Sequence, residues 1–92
     1  MNICEEKVLL SADGYGRVAI VKRPDGLFCL YCHWHWSPET QRLLGHGPIR
    51  DRRWTTDYDP QLYEDVDPLP GIYGTVADAE CEARRLLGLS DG

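Results

Sequence analysis

The sequence predicts an α+β fold: an antiparallel meander sheet of three or four strands with one principal C-terminal helix packed across one face. Three observations carry the prediction. The first half holds strand-like apolar runs, those runs are joined by short loops rich in Gly and Asp, and the chain ends in a single capped amphipathic segment. A length of 92 residues suits one domain spanning 1–92, built around one core.

Lys7–Ser11 is a short apolar run closed by Asp13-Gly14-Tyr15-Gly16, which reads as a first strand and a turn. Arg17–Arg23 has a β-branched centre and ends at Pro24-Asp25-Gly26. There Pro sets the first corner, Asp bonds the backbone beyond it and Gly takes the left-handed position, so the second and third strands form a hairpin. The third run, Leu27–Trp36, holds two of the three Trp, the only Phe, two of the four Cys and two of the three His. Alternation puts Phe28, Leu30, Cys32, Trp34 and Trp36 on a core face and Leu27, Cys29, Tyr31, His33 and His35 on the other. So much apolar area predicts that this strand lies centrally in the sheet.

Ser37-Pro38-Glu39 opens a helix of about two turns, with Ser as N-cap and Gly45 after its end; the alternative is an irregular excursion returning Leu43 and Leu44 to the core. Gly45–Gly74 has no single period. A structureless loop of that length is improbable, so short strands are expected at Arg53–Thr56 and at Ile72-Tyr73, one of them covering the outer edge of the third strand. Thr75 to Asp78 matches a capping box, and Val76, Ala79, Ala83, Leu86 and Leu87 form one stripe before Gly88 ends the helix.

Composition is that of an ordinary globular chain, 42% apolar and 27% charged, with a net charge of -5. The acidity belongs to residues 47–92, which carry five basic and ten acidic side chains. Nucleic acid is therefore a disfavoured partner, and phosphate affinity would need a local basic patch. Arg50-Asp51-Arg52-Arg53-Trp54 is the one candidate; charge pairing with the acids of Asp57–Asp67 is the simpler expectation for it. No apolar run approaches a membrane span and no signal peptide opens the chain, which predicts a cytoplasmic protein with free thiols.

Cys29-Leu30-Tyr31-Cys32-His33 spells the C-x-x-C-H of covalent haem attachment, but Met1 is the only Met and a strand does not present both thiols to one porphyrin edge; no cofactor is expected. Cys29, His33 and His35 do share a strand face, which gives a zinc-binding module as the alternative function, with Cys4, His46 or Cys81 completing the shell. A nominal Cys-His-Asp set from Cys29 or Cys32, His33 or His35, and Asp57 or Asp59 has no supporting motif, so no catalysis is expected. The leading expectation rests on an aromatic surplus. Tyr31, Trp54, Tyr58, Tyr63 and Tyr73 exceed what one small core can place, and this predicts a non-enzymatic module that binds a protein partner through Tyr31, His33, His35, Trp54, Tyr58 and Tyr63. The sheet edges predict a monomer or a weak homodimer through the first strand.

Overall fold

The computed structural model describes residues 3–45 and 47–89. Its elements run β1 (Cys4–Leu10), β2 (Gly16–Lys22), β3 (Phe28–Trp34), α1 (Pro38–Leu43), a single 3-10 turn at Pro60–Tyr63 and α2 (Val76–Leu87). The three strands form one antiparallel sheet in the order β1-β2-β3, the predicted meander, and α2 packs against it.

Turn chemistry sets that order. Between β1 and β2 the Asp13 carboxylate accepts from the Tyr15 N–H at 2.9 Å, and Gly14 supplies a φ of 80° that a side chain would resist. Between β2 and β3 the Leu27 N–H donates to the Asp25 carboxylate at 3.0 Å, while the Arg23 N–H donates to the Leu27 carbonyl at 2.7 Å. Both hairpins are thus short and their register is local.

The central strand is β2, not β3 as its aromatic content suggested. Gly16–Val21 is buried throughout, because both sheet faces are covered there and small or β-branched side chains fill the space. On one face Leu9, Val18, Ile20 and Leu30 meet Ala79, Ala83 and Leu87 of α2, with Phe28 and Cys32 at the margin. The helix-side core ends there. Trp34 and Trp36, expected inside it, are each 52% exposed.

At α2 the Thr75 half of the predicted capping box and the Gly88 terminus form, while the Asp78 carboxylate makes no return bond to the Thr75 N–H. Thr75 Oγ1 accepts from the Asp78 N–H at 3.1 Å and Gly88 closes the helix in the left-handed conformation. Ala79 and Ala83 are wholly buried and let the helix axis approach the sheet, whereas Leu86 is exposed and Leu87 alone fills the last core position. Thr75→Ala is expected to cost about 1 kcal/mol, the usual worth of an N-cap, read as a lowered urea midpoint at unchanged slope.

On the opposite face Ala19, Val21, Cys29 and Tyr31 form a second cluster with Ile3, Val8 and Tyr63. A bulge between Glu5 and Lys7 shifts the β1 register by one residue. That shift turns Glu5 towards this face, although strict alternation would leave it beside Lys7 and Leu9 under α2.

The outer edge of β3 is covered from within the chain. Phe28 and Tyr73 form an antiparallel bridge, with N–H to O distances of 2.8 and 2.9 Å, and the Leu69 N–H donates to the Leu30 carbonyl at 2.8 Å. Ile72-Tyr73 is therefore a bridge and not a full strand. Arg53–Thr56 forms no strand, since its Trp54 N–H is taken by the Gly14 carbonyl at 2.8 Å and the segment crosses the end of the first hairpin. Ser37 caps α1 by accepting from the Thr40 N–H at 3.2 Å, yet α1 has no buried residue; Leu43, at 81% exposure, and Leu44 do not return to the core. Among the described residues no helix is long and apolar enough to cross a membrane.

Candidate functional site: a cleft beside the end of the third strand

Residues 54–63 lie over the second sheet face and are held there by a buried cation. The Arg17 side chain is 0% exposed and its guanidinium reaches the Glu5 carboxylate at 3.0 Å. The same group donates to the Thr55 carbonyl at 3.0 Å and to the Asp57 carbonyl at 3.1 Å, and the Tyr63 hydroxyl donates to Glu5. Burial, reinforced by Glu5, pushes the Tyr63 phenol well above its ordinary range, so it stays a donor.

Aromatic contacts continue the covering. Tyr63 stands edge-on to Tyr31 with centroids 4.9 Å apart, and Trp54 stacks on His35 at 3.9 Å with 12° between planes. His33 Nε2 donates to the Leu62 carbonyl at 2.7 Å. His33 Nδ1 and Trp54 Nε1 are both buried without a hydrogen-bond partner among the described residues, so the Trp54 indole is seated by ring packing and its backbone by the bond to Gly14. The predicted binding residues Tyr31, His33, His35, Trp54 and Tyr63 thus come together, but they face one another. Only Tyr58 among the six is broadly open to solvent.

The open surface lies next to them. A cleft of about 580 Å³ is walled by Trp34, His35 and Trp36 from the end of β3 and by Pro48, Arg50 and Arg52 from the loop after α1. Each wall is fixed by its own contacts. One face of the Trp34 six-membered ring lies against the backbone of Gly16, the residue paired with it across the strands. On the opposite wall Gln41 accepts from the Arg50 N–H at 3.0 Å and donates to the carbonyls of Arg50 and Trp36 at 2.6 and 2.9 Å. Further along, the Tyr15 hydroxyl donates to Asp51 at 2.5 Å and Arg53 pairs with Asp51 at 3.4 Å while lying over the Tyr15 ring.

Charge is unevenly distributed across this loop. The expected pairing of the Arg cluster with Asp57–Asp67 does not form; Asp51 takes Arg53 instead, and Arg50 and Arg52 have no carboxylate partner among the described residues. The effect reaches His35, whose pKa is lowered from 6.5 by burial first, then by the charge of Arg52 and by His33. The unfolded chain therefore takes up a proton at His35 at a higher pH than the folded chain does, and the fold is expected to lose stability as pH falls below 6.5, levelling off below the folded value. Thermal midpoints between about pH 7.5 and 5 check this, because His35→Gln should flatten the slope across the range where His titrates.

For the metal alternative the geometry is unhelpful. Cys29 is buried with its thiol near the Val21 carbonyl, His33 is bonded to Leu62, and His35 is stacked on Trp54. Among the described residues no group of three or more His, Cys, Asp and Glu is placed to hold an ion; His46, named as a completing ligand, and Met1 lie outside them. Burial pushes both the Cys29 and the Cys32 thiol above the ordinary thiol pKa, which disfavours their thiolate forms. Compared with protein-family models, with curated proteins and with solved structures, the chain matches none.

Proposed function

We propose that the chain is a non-enzymatic cytoplasmic binding module whose ligand surface is the cleft walled by Trp34, Trp36, Arg50 and Arg52. One observation carries the reading. Two guanidinium groups without a carboxylate partner among the described residues line the same cleft as two half-exposed indoles, in a chain with 15 acidic and only 10 basic residues. Exposed Trp and Arg are the side chains that anchor interfaces, and fixed walls lower the ordering cost of binding. Raised pKa values at Cys29 and Cys32 and the bond that ties His33 Nε2 to Leu62 favour binding over catalysis, and four free thiols suit a reducing compartment.

The test compares what the intact chain and its Arg50→Glu/Arg52→Glu variant retain from a native lysate, with proteins and small molecules both identified by mass spectrometry. Both guanidinium groups lie on exposed residues, so the variant is expected to keep the wild-type thermal midpoint. A species held by the wild type and lost from the variant supports the cleft. An identical retained set for both chains removes it.

A further inference from the structure

Resting on that reading, we infer that the cleft takes a free nucleotide, with its base stacked on Trp34 and its phosphate held by Arg50 and Arg52. The ligand must satisfy two unlike walls at once. Trp34 offers an aromatic face whose reverse side is already seated on Gly16, so the ring can accept a planar partner without first being ordered. Arg50 and Arg52 offer planar, permanently charged forks that match phosphate oxygens, and neither is neutralised by a neighbouring carboxylate among the described residues. A simple anion would use only the second wall. An apolar peptide side chain would use only the first.

Volume and net charge choose the form of the ligand. About 580 Å³ is the size of a small-molecule site and fits one nucleotide. A long polyanion would have to approach a molecule of net charge -5, whose surplus acids all lie in the same half of the chain as Arg50 and Arg52. A single nucleotide presents its charge to the two Arg alone. The backbone that carries the two arginines is held by Gln41, which clips Arg50, and by Asp51, between them, which is spent on Tyr15 and Arg53.

The experiment titrates AMP and GMP into the full chain, following intrinsic Trp fluorescence and heat, beside adenosine, ribose 5-phosphate and a ten-residue oligoadenylate. The expected result is saturable binding of AMP or GMP, with adenosine and ribose 5-phosphate each at least about tenfold weaker, since each forfeits one wall. Arg50→Gln/Arg52→Gln should weaken the nucleotide about tenfold and leave adenosine unchanged, while Trp34→Leu should weaken the nucleotide and leave ribose 5-phosphate unchanged. Circular dichroism confirms that both variants fold. Arg85→Gln, on α2 and outside the cleft lining, serves as a control that should bind as the wild type does.

Three outcomes overturn the inference: no nucleotide binding at millimolar concentration, ribose 5-phosphate binding as well as AMP, or the oligoadenylate binding more tightly per nucleotide than AMP. The first two leave open a cleft that still distinguishes wild type from the Arg50→Glu/Arg52→Glu variant in the lysate comparison. Failure of the nucleotide and failure of the cleft are therefore separate results.

Discussion

Glu5→Ala is expected to destabilise the fold by about 3–5 kcal/mol, the penalty for leaving a buried charge without its partner. Arg17 is 0% exposed and Glu5 10% exposed, so water cannot replace the lost carboxylate. The damage spreads, because the same carboxylate accepts from the Tyr63 hydroxyl and thereby helps hold residues 54–63 over the second sheet face. Urea unfolding reads the loss, and Glu5→Leu/Arg17→Met supplies the comparison. If the charge is the cause, the double variant recovers part of what the single one loses, since no charge is left buried, while the Tyr63 hydroxyl and the Thr55 and Asp57 carbonyls still lose their partners. A single-variant loss below about 1 kcal/mol would place the Arg17 network among ordinary surface ion pairs.

Gly16→Ala is the second large effect, expected at about 1–3 kcal/mol, the range for overpacking a filled site. A methyl carbon at Gly16 would lie 2.4, 2.6 and 2.8 Å from three ring carbons of Trp34, closer than nonbonded carbons approach. The backbone of Gly16 cannot retreat, for it is buried in β2, paired with Trp34 on one side and hydrogen-bonded to Ser11 on the other. Trp34 must therefore leave its seat. The measurement is a proton–nitrogen NMR spectrum: the Trp34 indole N–H signal should move while the Trp54 signal stays, and the thermal midpoint should fall. An unmoved Trp34 signal would show that the ring is not held by Gly16 and would remove the rigid wall from the cleft.

What the sequence made legible follows from how local each feature is. The two hairpin turns, the Ser37 and Thr75 caps and the Gly88 terminus depend on residues within a few positions of one another, and each was readable from those residues. The bulge at Glu5/Lys7 was not. Glu5-Glu6-Lys7 is charged throughout, so no apolar alternation marks the slip. Placing β3 at the centre mistook bulk for coverage; Val18-Ala19-Ile20-Val21, a continuous run of modest side chains, is the signature of a strand buried on both faces. Alternation assigned Trp34 to the helix-facing side correctly, but it could not say that α2 stops covering that side at Cys32. For the site, the aromatic surplus was legible and its use was not: Tyr63 and Trp54 meet Tyr31 and His35 across sequence separations that no local pattern reveals.

The absence of any buried residue in α1 has a consequence for how this protein can change over generations. Positions that carry the fold sit in the three strands, α2 and the Arg17 network, whereas the described residues of 37–52 contribute mostly exposed side chains. Substitutions at exposed positions of this kind shift stability by only about 0.5 kcal/mol either way. One wall of the cleft can thus be rewritten with almost no penalty to folding, while the other, Trp34 on Gly16, is locked to the sheet. Descendants of this chain are free to exchange the charges on the loop wall and bound to keep the ring on the sheet wall.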